Sequence, residues 1–192
     1  MELDEKMLLK KCCEGSVEAF ETIMKTHYKK VYNIAFRMLN NSEDASDMAQ
    51  EAFVKIYQSI AGFKHESSLA TWVYRIATNV CLDEIRKRKN RNVVSMDGYI
   101  ESDESEMVKQ FKANQLSVED LFENKETQKE ISELLMSLSE EHRTMIVLRD
   151  YNGMNYEEIA KITNSTLGTV KSRLSRARNA LKNLFIKSKE LN

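Results

Sequence analysis

A chain of 192 residues is long enough for one large domain or two small ones, each with a modest core. Lys and Arg number 29 against 30 Asp and Glu, a formal net charge of -1 that excludes a uniformly basic DNA-coating protein while allowing local basic surfaces. Proline is absent and glycine numbers five, so long helices can run uninterrupted, and the expected fold is all-α.

The opening MELDEKMLLKKCCEG has no apolar core long enough for a signal peptide, and no later segment approaches a membrane span, so a cytoplasmic protein without membrane insertion is expected. From Val17 to about Asn40, Phe20, Ile23, Met24, Val31, Ile34, Ala35 and Met38 recur at helical spacing, which predicts one or two packed helices. Asn41 and Ser42 then punctuate the chain. Glu43, Asp44 and Asp47 crowd the first turn of the next helix, where the dipole favours anions. That helix, running to about Ile60, buries Ala45, Met48, Ala49, Ala52, Phe53 and Ile56 and leaves Asp44, Asp47, Gln50, Glu51 and Val54 outside. Gly62 breaks it, and the loop GFKHESSL leads to a helix from about Leu69 to Lys89, with Val73, Ile76, Ala77, Val80 and Ile85 inward.

Charge is sorted along the chain. Leu82 to Arg91 holds five basic and two acidic residues, and Leu167 to Asn192 seven basic and one acidic, both favourable to phosphate. Between them, residues 91–125 have poor periodicity and an acidic excess, and read as a flexible linker. The expected organisation is two small helical domains, 1–90 and 126–192, around that linker. Cys12, Cys13 and Cys81 lack CxxC spacing, and His27, His65 and His142 are scattered, so no metal site or disulfide framework follows.

Periodicity returns from Glu126 with Ile131, Leu134, Leu135 and Leu138, then Met145, Ile146 and Leu148 after a Ser139 cap. In NYEEIAKITNSTLGTVKSRLSRARNALK, Asn155 and Glu158 form a capping pair opening a short helix, and Asn164, Ser165 and Thr166 make a turn. The helix that follows has Val170, Leu174, Ala177 and Leu181 on one face and Lys171, Ser172, Ser175, Arg176 and Asn179 on the other. This is a helix-turn-helix with a polar recognition face, suited to the major groove. Arg173 and Arg178 flank that face, where they suit phosphates. A solvated basic face explains the charges but not the capped short helix before it.

YEEIA followed by LGTVKSRLSRAR closely resembles the promoter-reading domain of extracytoplasmic-function sigma factors, the small two-domain class of bacterial initiation factors. LSEEHRTMIVLRDYNGMNYEEIA is similar to the family's lead-in, with Ser139 where proline is usual and Thr163 to Thr166 departing from the common turn. DASDMAQEAFVKIYQ and FKHESSLATWVYRIATNVCLDEIRKRK independently resemble its core-binding and promoter-melting domain.

The resemblance implies that Asp44, Asp47, Gln50 and Glu51 dock on the coiled coil of the polymerase's largest subunit, with the flap as a further contact of the core enzyme. It implies that Phe63, Lys64, His65, Ser67 and Ser68 form the loop capturing an unstacked minus-10 base, and that Trp72, Arg75, Asn79, Arg86 and Arg88 meet the separated strand. Lys171, Ser172, Ser175 and Arg176 would face minus-35 bases, with Arg149, Thr169 and Arg173 near phosphates. Phe63 and Trp72 are equally readable as core, and Asp44 as a helix-dipole residue. The resemblance further implies no catalysis, no cofactor and control by an anti-sigma protein. An autonomous LuxR-like regulator and a purely protein-binding helical adaptor are the alternatives.

Overall fold

The computed structural model describes residues 2–94 and 129–190, which form helices and turns with no strand among them. The linker expected over 91–125 lies outside the described residues from 95 onward.

Helix α1 (Glu2–Cys13) buries Leu9 and Cys12, two positions too few to stand out as a periodic stripe. Gly15, at φ +89°, turns the chain through a conformation that side chains disfavour, and the Ser16 hydroxyl then accepts from the Ala19 amide at 3.2 Å to open α2 (Val17–Leu39). A single helix spans the stretch whose periodicity allowed one or two. Asn40 ends it in the left-handed region, and Asn41 at once caps α3 (Ser42–Ser59) by accepting from the amides of Glu43 and Asp44 at 2.8 and 3.0 Å. Ala45, Ala49, Ala52, Phe53 and Ile56 face inward, as the spacing predicts, while Met48 is half-buried.

A 3-10 turn (Ile60–Gly62) leads into the loop before α4 (Leu69–Val94), which continues past Lys89, where the sequence suggested an end. Helix α2 packs on both α3 and α4, which also touch each other, and α1 lies across α2 and the 3-10 turn. Large apolar side chains with no exposure, Val31, Ile34, Met38, Ile56 and Val73, fill the centre. Each stabilises the fold by roughly 1.5–3 kcal/mol relative to an exposed position.

His27 sits inside this first unit with Nδ1 3.0 Å from the Tyr74 hydroxyl. Burial lowers its pKa, opposed by Glu5 and assisted by Lys30. A depressed histidine pKa stabilises the fold above the unfolded value of about 6.5, and that contribution is lost as pH falls through the folded value. Stability should therefore drop between pH 7 and 5, and His27→Gln should flatten this dependence. Denaturation midpoints across that range check it, and an unchanged slope in the variant would reject it.

The second unit comprises α5 (129–136), α6 (Glu140–Ile146) continuing as a π-helical segment (Val147–Tyr151), α7 (Tyr156–Ile162) and α8 (Leu167–Glu190). Ser139 caps α6 by accepting from the His142 amide at 3.3 Å. The widened π turn, which the sequence did not announce, keeps both Val147 and Leu148 buried. Gly153 at φ +67° closes it. Helix α6 packs along α8, and α7 also packs on α8. The two units also touch, with α4 against α7 and the end of α2 against the π segment.

Candidate nucleic-acid and protein-docking surfaces

The helix-turn-helix is built by local hydrogen bonds. The Asn155 side chain accepts from the Glu158 amide while the Glu158 carboxylate accepts from the Asn155 amide, both at 2.8 Å, a complete capping box. Asn155→Ala should cost about 1 kcal/mol, readable by chemical denaturation. In the turn, Thr163 donates its hydroxyl to Ile159 O at 2.8 Å, Asn164 takes φ +48°, and Ser165 donates its amide to Ala160 O at 2.9 Å. Thr166 Oγ1 accepts from the Thr169 amide at 3.2 Å and starts α8. The residues that depart from the family's common turn are thus satisfied locally.

Helix α8 divides its polar residues into two sets. Lys171, Ser175 and Arg176 are exposed with no hydrogen-bond or ion-pair partner among the described residues, and Ser172 is exposed with its hydroxyl turned back to Thr169 O at 3.0 Å. Arg173 instead reaches Glu141 at 3.5 Å and Ser165 at 3.4 Å. Arg178 forks onto the Asp150 carboxylate through Nε at 3.1 Å and through Nη2. Thr169 is half-buried, its hydroxyl shared with Thr166 at 2.9 Å. Arg149 donates to Met154 O at 2.7 Å and lies 5.0 Å from the Tyr156 ring centroid, bracing the entry to α7.

In the first unit, Phe63 is half-buried with its ring 5.2 Å from Trp72 and 4.6 Å from His65. Trp72 is buried at 8% exposure, so in this arrangement it supports the loop from below rather than presenting a free face. His65 takes φ +56°, a conformation uncommon outside glycine that marks a constrained loop. Ser68 serves as the cap of α4, its hydroxyl accepting from the Thr71 amide at 3.1 Å, while Ser67 is half-buried with its hydroxyl on Ser68 O at 3.3 Å. Lys64 is exposed, as are Arg75 and Asn79, four apart on α4.

Asp44 and Arg88, expected on two different surfaces, hold each other. Arg88 donates through Nη1 and Nη2 to the two Asp44 carboxylate oxygens at 2.6 Å each, and through Nε to Glu84 at 2.8 Å. The Arg88 hydrogen bond lowers the Asp44 pKa, and Asp44 raises that of Arg88. Asp47 and Gln50 stay exposed, and Glu51 is exposed while pairing with Lys55 at 2.8 Å. Arg86 is 3.5 Å from Asp83 and 3.8 Å from Glu140 of the second unit.

Among the described residues no histidine, cysteine and carboxylate cluster suits a metal, and no helix is long and apolar enough to cross a membrane. Cys12 and Cys81 are buried, and burial pushes the Cys81 thiol up to about 12.

The profile of sigma-70 region 2 matches residues 23–91, over the first unit, and that of sigma-70 region 4 matches residues 128–181, over the second. Fold and surfaces together define a sigma-type transcription initiation factor, whose partners are RNA polymerase core and promoter DNA. Full-length relatives refine this. The chain is 35% identical to the ECF RNA polymerase sigma factor SigW of Bacillus subtilis (strain 168), covering 95% of this chain and 97% of that one. It is 32% identical to the ECF RNA polymerase sigma-E factor of Escherichia coli (strain K12), over 95% and 94%. The chain belongs to the extracytoplasmic-function (ECF) sigma factors.

Among solved structures, the sigma factor RpoE in complex with the anti-sigma factor NepR from Bartonella quintana superposes with a TM-score of 0.67 at 28% identity, over 88% of this chain and 98% of that one. CnrH in complex with the cytosolic domain of CnrY shares the fold, with a TM-score of 0.69 at 20% identity over 96% and 98%.

Proposed function

We propose that Lys171, Ser172, Ser175 and Arg176 read the minus-35 element while Arg75, Asn79, Lys64 and His65 engage the opened minus-10 strand. The observation that carries this reading is the division on α8: among the described residues Lys171, Ser175 and Arg176 have no hydrogen-bond or ion-pair partner, whereas Arg173 and Arg178 are tied into the domain. Groups left free on a helix-turn-helix are those available to base edges. Arg149, Thr169 and Arg173 act chiefly as braces that fix the recognition helix, with phosphate contact as a second duty. Phe63, Trp72, Ser67 and Ser68 build the capturing loop, and Arg86 and Arg88 contribute positive potential beside it.

Asp47, Gln50 and Glu51 form the docking face for the largest subunit of the polymerase, and Asp44 sets the pitch of that face through Arg88. Residues 1–90, 91–125 and 126–192 are assigned as melting domain, linker and minus-35 domain. The acidic linker threads the polymerase cleft, where its charge mimics nucleic acid; the flap is the second contact on the core. The Bartonella quintana relative is in complex with an anti-sigma factor, and the same class of partner is inferred here, acting in the cytoplasm. Strand opening is driven by binding energy, and the polymerase supplies the chemistry.

The test is transcription of fragmented genomic DNA by cognate core polymerase with and without this protein, sequencing RNA 5′ ends. New starts sharing spaced minus-35 and minus-10 motifs are expected. Tight duplex binding by the protein alone, with no new starts, would favour an autonomous regulator.

A further inference from the structure

We propose that Leu167, on the leading turn of the recognition helix, is a further specificity-determining residue. Its side chain packs on the 5-methyl group of one thymine in the minus-35 element, and Gly168 beside it leaves the clearance that lets the helix come close enough. This rests on the reading of α8 given above and adds an apolar contact that the polar residues of that face do not supply.

Leu167 begins α8 and is 43% exposed. It stays outside the apolar core that the following apolar positions of the same helix, Val170, Leu174 and Ala177, all enter. A single exposed leucine is ordinary on a protein surface, so exposure alone decides nothing. Its place decides more. Helix-turn-helix proteins set the N-terminal residues of the second helix against base edges. Leu167 precedes Lys171 by four residues, and Lys171 precedes Ser175 by four, so the three exposed side chains follow one another along one side of the helix. A leucine at the head of a row that faces bases has no hydrogen bond to offer. The apolar group displayed in the major groove is the 5-methyl group, and among the four bases only thymine carries it.

The first turn that presents this leucine is held in place. Thr166 Oγ1 accepts from the Thr169 amide at 3.2 Å and shares a hydrogen with the Thr169 hydroxyl at 2.9 Å, while Thr166 O accepts from the Val170 amide at 3.0 Å. With the backbone fixed, seating Leu167 on a base costs little beyond its own rotamer freedom.

Gly168 is the second observation. Gly15 and Gly153 have a conformational reason to be glycine, since both take positive φ. Gly168 has none: it lies in a helix, and a β-carbon added to it would meet, outside its chain neighbours and the helix backbone, only Thr166 Oγ1 at 3.9 Å, an ordinary contact. The folded chain therefore has room for alanine, which helices prefer. Gly168 is exposed, three residues before Lys171 and four before Ser172, on the polar face itself. A bare backbone at that place serves close approach to a second molecule. Leucine is shorter than the lysine and arginine that follow it on this face. Contact between its methyls and that of thymine, at a separation of about 3.5–4.0 Å, requires the helix to sit deep in the groove.

The test uses holoenzyme of the full chain with cognate core polymerase, on the promoter that it selects. Each thymidine of the minus-35 duplex is replaced in turn by deoxyuridine, which removes only the methyl group. At one position the wild type should lose affinity about fourfold, the worth of burying one methyl-sized group. Leu167→Ala should bind the thymidine promoter at least as weakly as the wild type binds that deoxyuridine promoter. It should no longer sense the methyl there, while still sensing base changes opposite Arg176. Leu167→Met should restore part of the effect. Gly168→Ala should melt at the same temperature or higher, yet bind the same promoter less tightly by more than the largest step of the methyl scan. Equal methyl sensitivity of wild type and Leu167→Ala at every thymine, or none in the wild type, would overturn the leucine contact. Unchanged binding by Gly168→Ala would remove the close approach on which that contact depends. In those cases preference at the minus-35 element persists; a holoenzyme without any such preference would sink the reading of α8 itself.

Discussion

Replacing Arg176 with alanine is expected to weaken binding to the minus-35 duplex by roughly 1 to 3 kcal/mol and to relax preference at a single base pair. The side chain is exposed on α8, two residues after the buried Leu174, and no carboxylate among the described residues holds it. Its fork is therefore available for a bidentate contact, for which guanine O6 and N7 are the matching acceptors. In a promoter-library selection, the loss corresponds to about a 5- to 150-fold fall for the best sequence. Lys171→Ala, at a second base-facing position, should likewise relax preference at its own base pair, whereas loss of a phosphate contact would weaken all sequences alike and reduce the salt slope by about 1. An Arg176→Ala library with unchanged sequence preference would remove this residue from base reading.

Asp44→Asn should destabilise the first domain by roughly 1 to 2 kcal/mol at neutral pH. The variant keeps the size of the side chain and can still accept from Arg88, but it removes the charge that the guanidinium forks onto. Hydrogen bonds to charged groups contribute about 1.5–3 kcal/mol, and the lower figure applies because the Arg88 side chain is 41% exposed and screened by water. The sign with pH follows from the lowered Asp44 pKa: its contribution is fully present above the unfolded carboxylate value near 4 and is lost as pH falls through the folded value. The gap between wild type and variant should thus be wide at pH 6 and narrow below pH 4 in urea denaturation. A gap that persists in acid would mean that Asp44 acts by packing alone. The same variant should weaken polymerase binding less than Asp47→Asn, because Asp44 faces Arg88 whereas Asp47 is exposed.

The recognition helix shows how far the residues alone could carry a site. Its apolar row, Val170, Leu174 and Ala177, has a regular spacing that makes the opposite row exposed whatever the helix packs on. The capping pair Asn155 and Glu158 was equally legible, because both partners lie within one turn. Other assignments depended on groups far apart in the chain. Arg88 and Asp44 are 44 positions apart, and each had a sensible separate duty until the packing of α3 on α4 joined them. Trp72 was balanced between core and surface, and the ring of Phe63 above it decided for burial in this arrangement. Arg143 and Lys161 drew no attention in the sequence, since neither lies on a patterned face and their acceptors are backbone carbonyls of the other domain.

By itself, the sequence determined the all-helical fold, the break between two apolar-periodic stretches, the helix-turn-helix and its exposed polar face. These rest on interactions within a few residues of one another, which local spacing and capping chemistry encode directly. Only the tertiary structure decided which charges are spent on each other, that α1 joins the core, that α6 widens into a π turn, and that the two domains touch. The paired charges and the domain contact follow from interactions across 44 and 105 positions, whose partners are selected by packing geometry and by the need to satisfy buried polar groups.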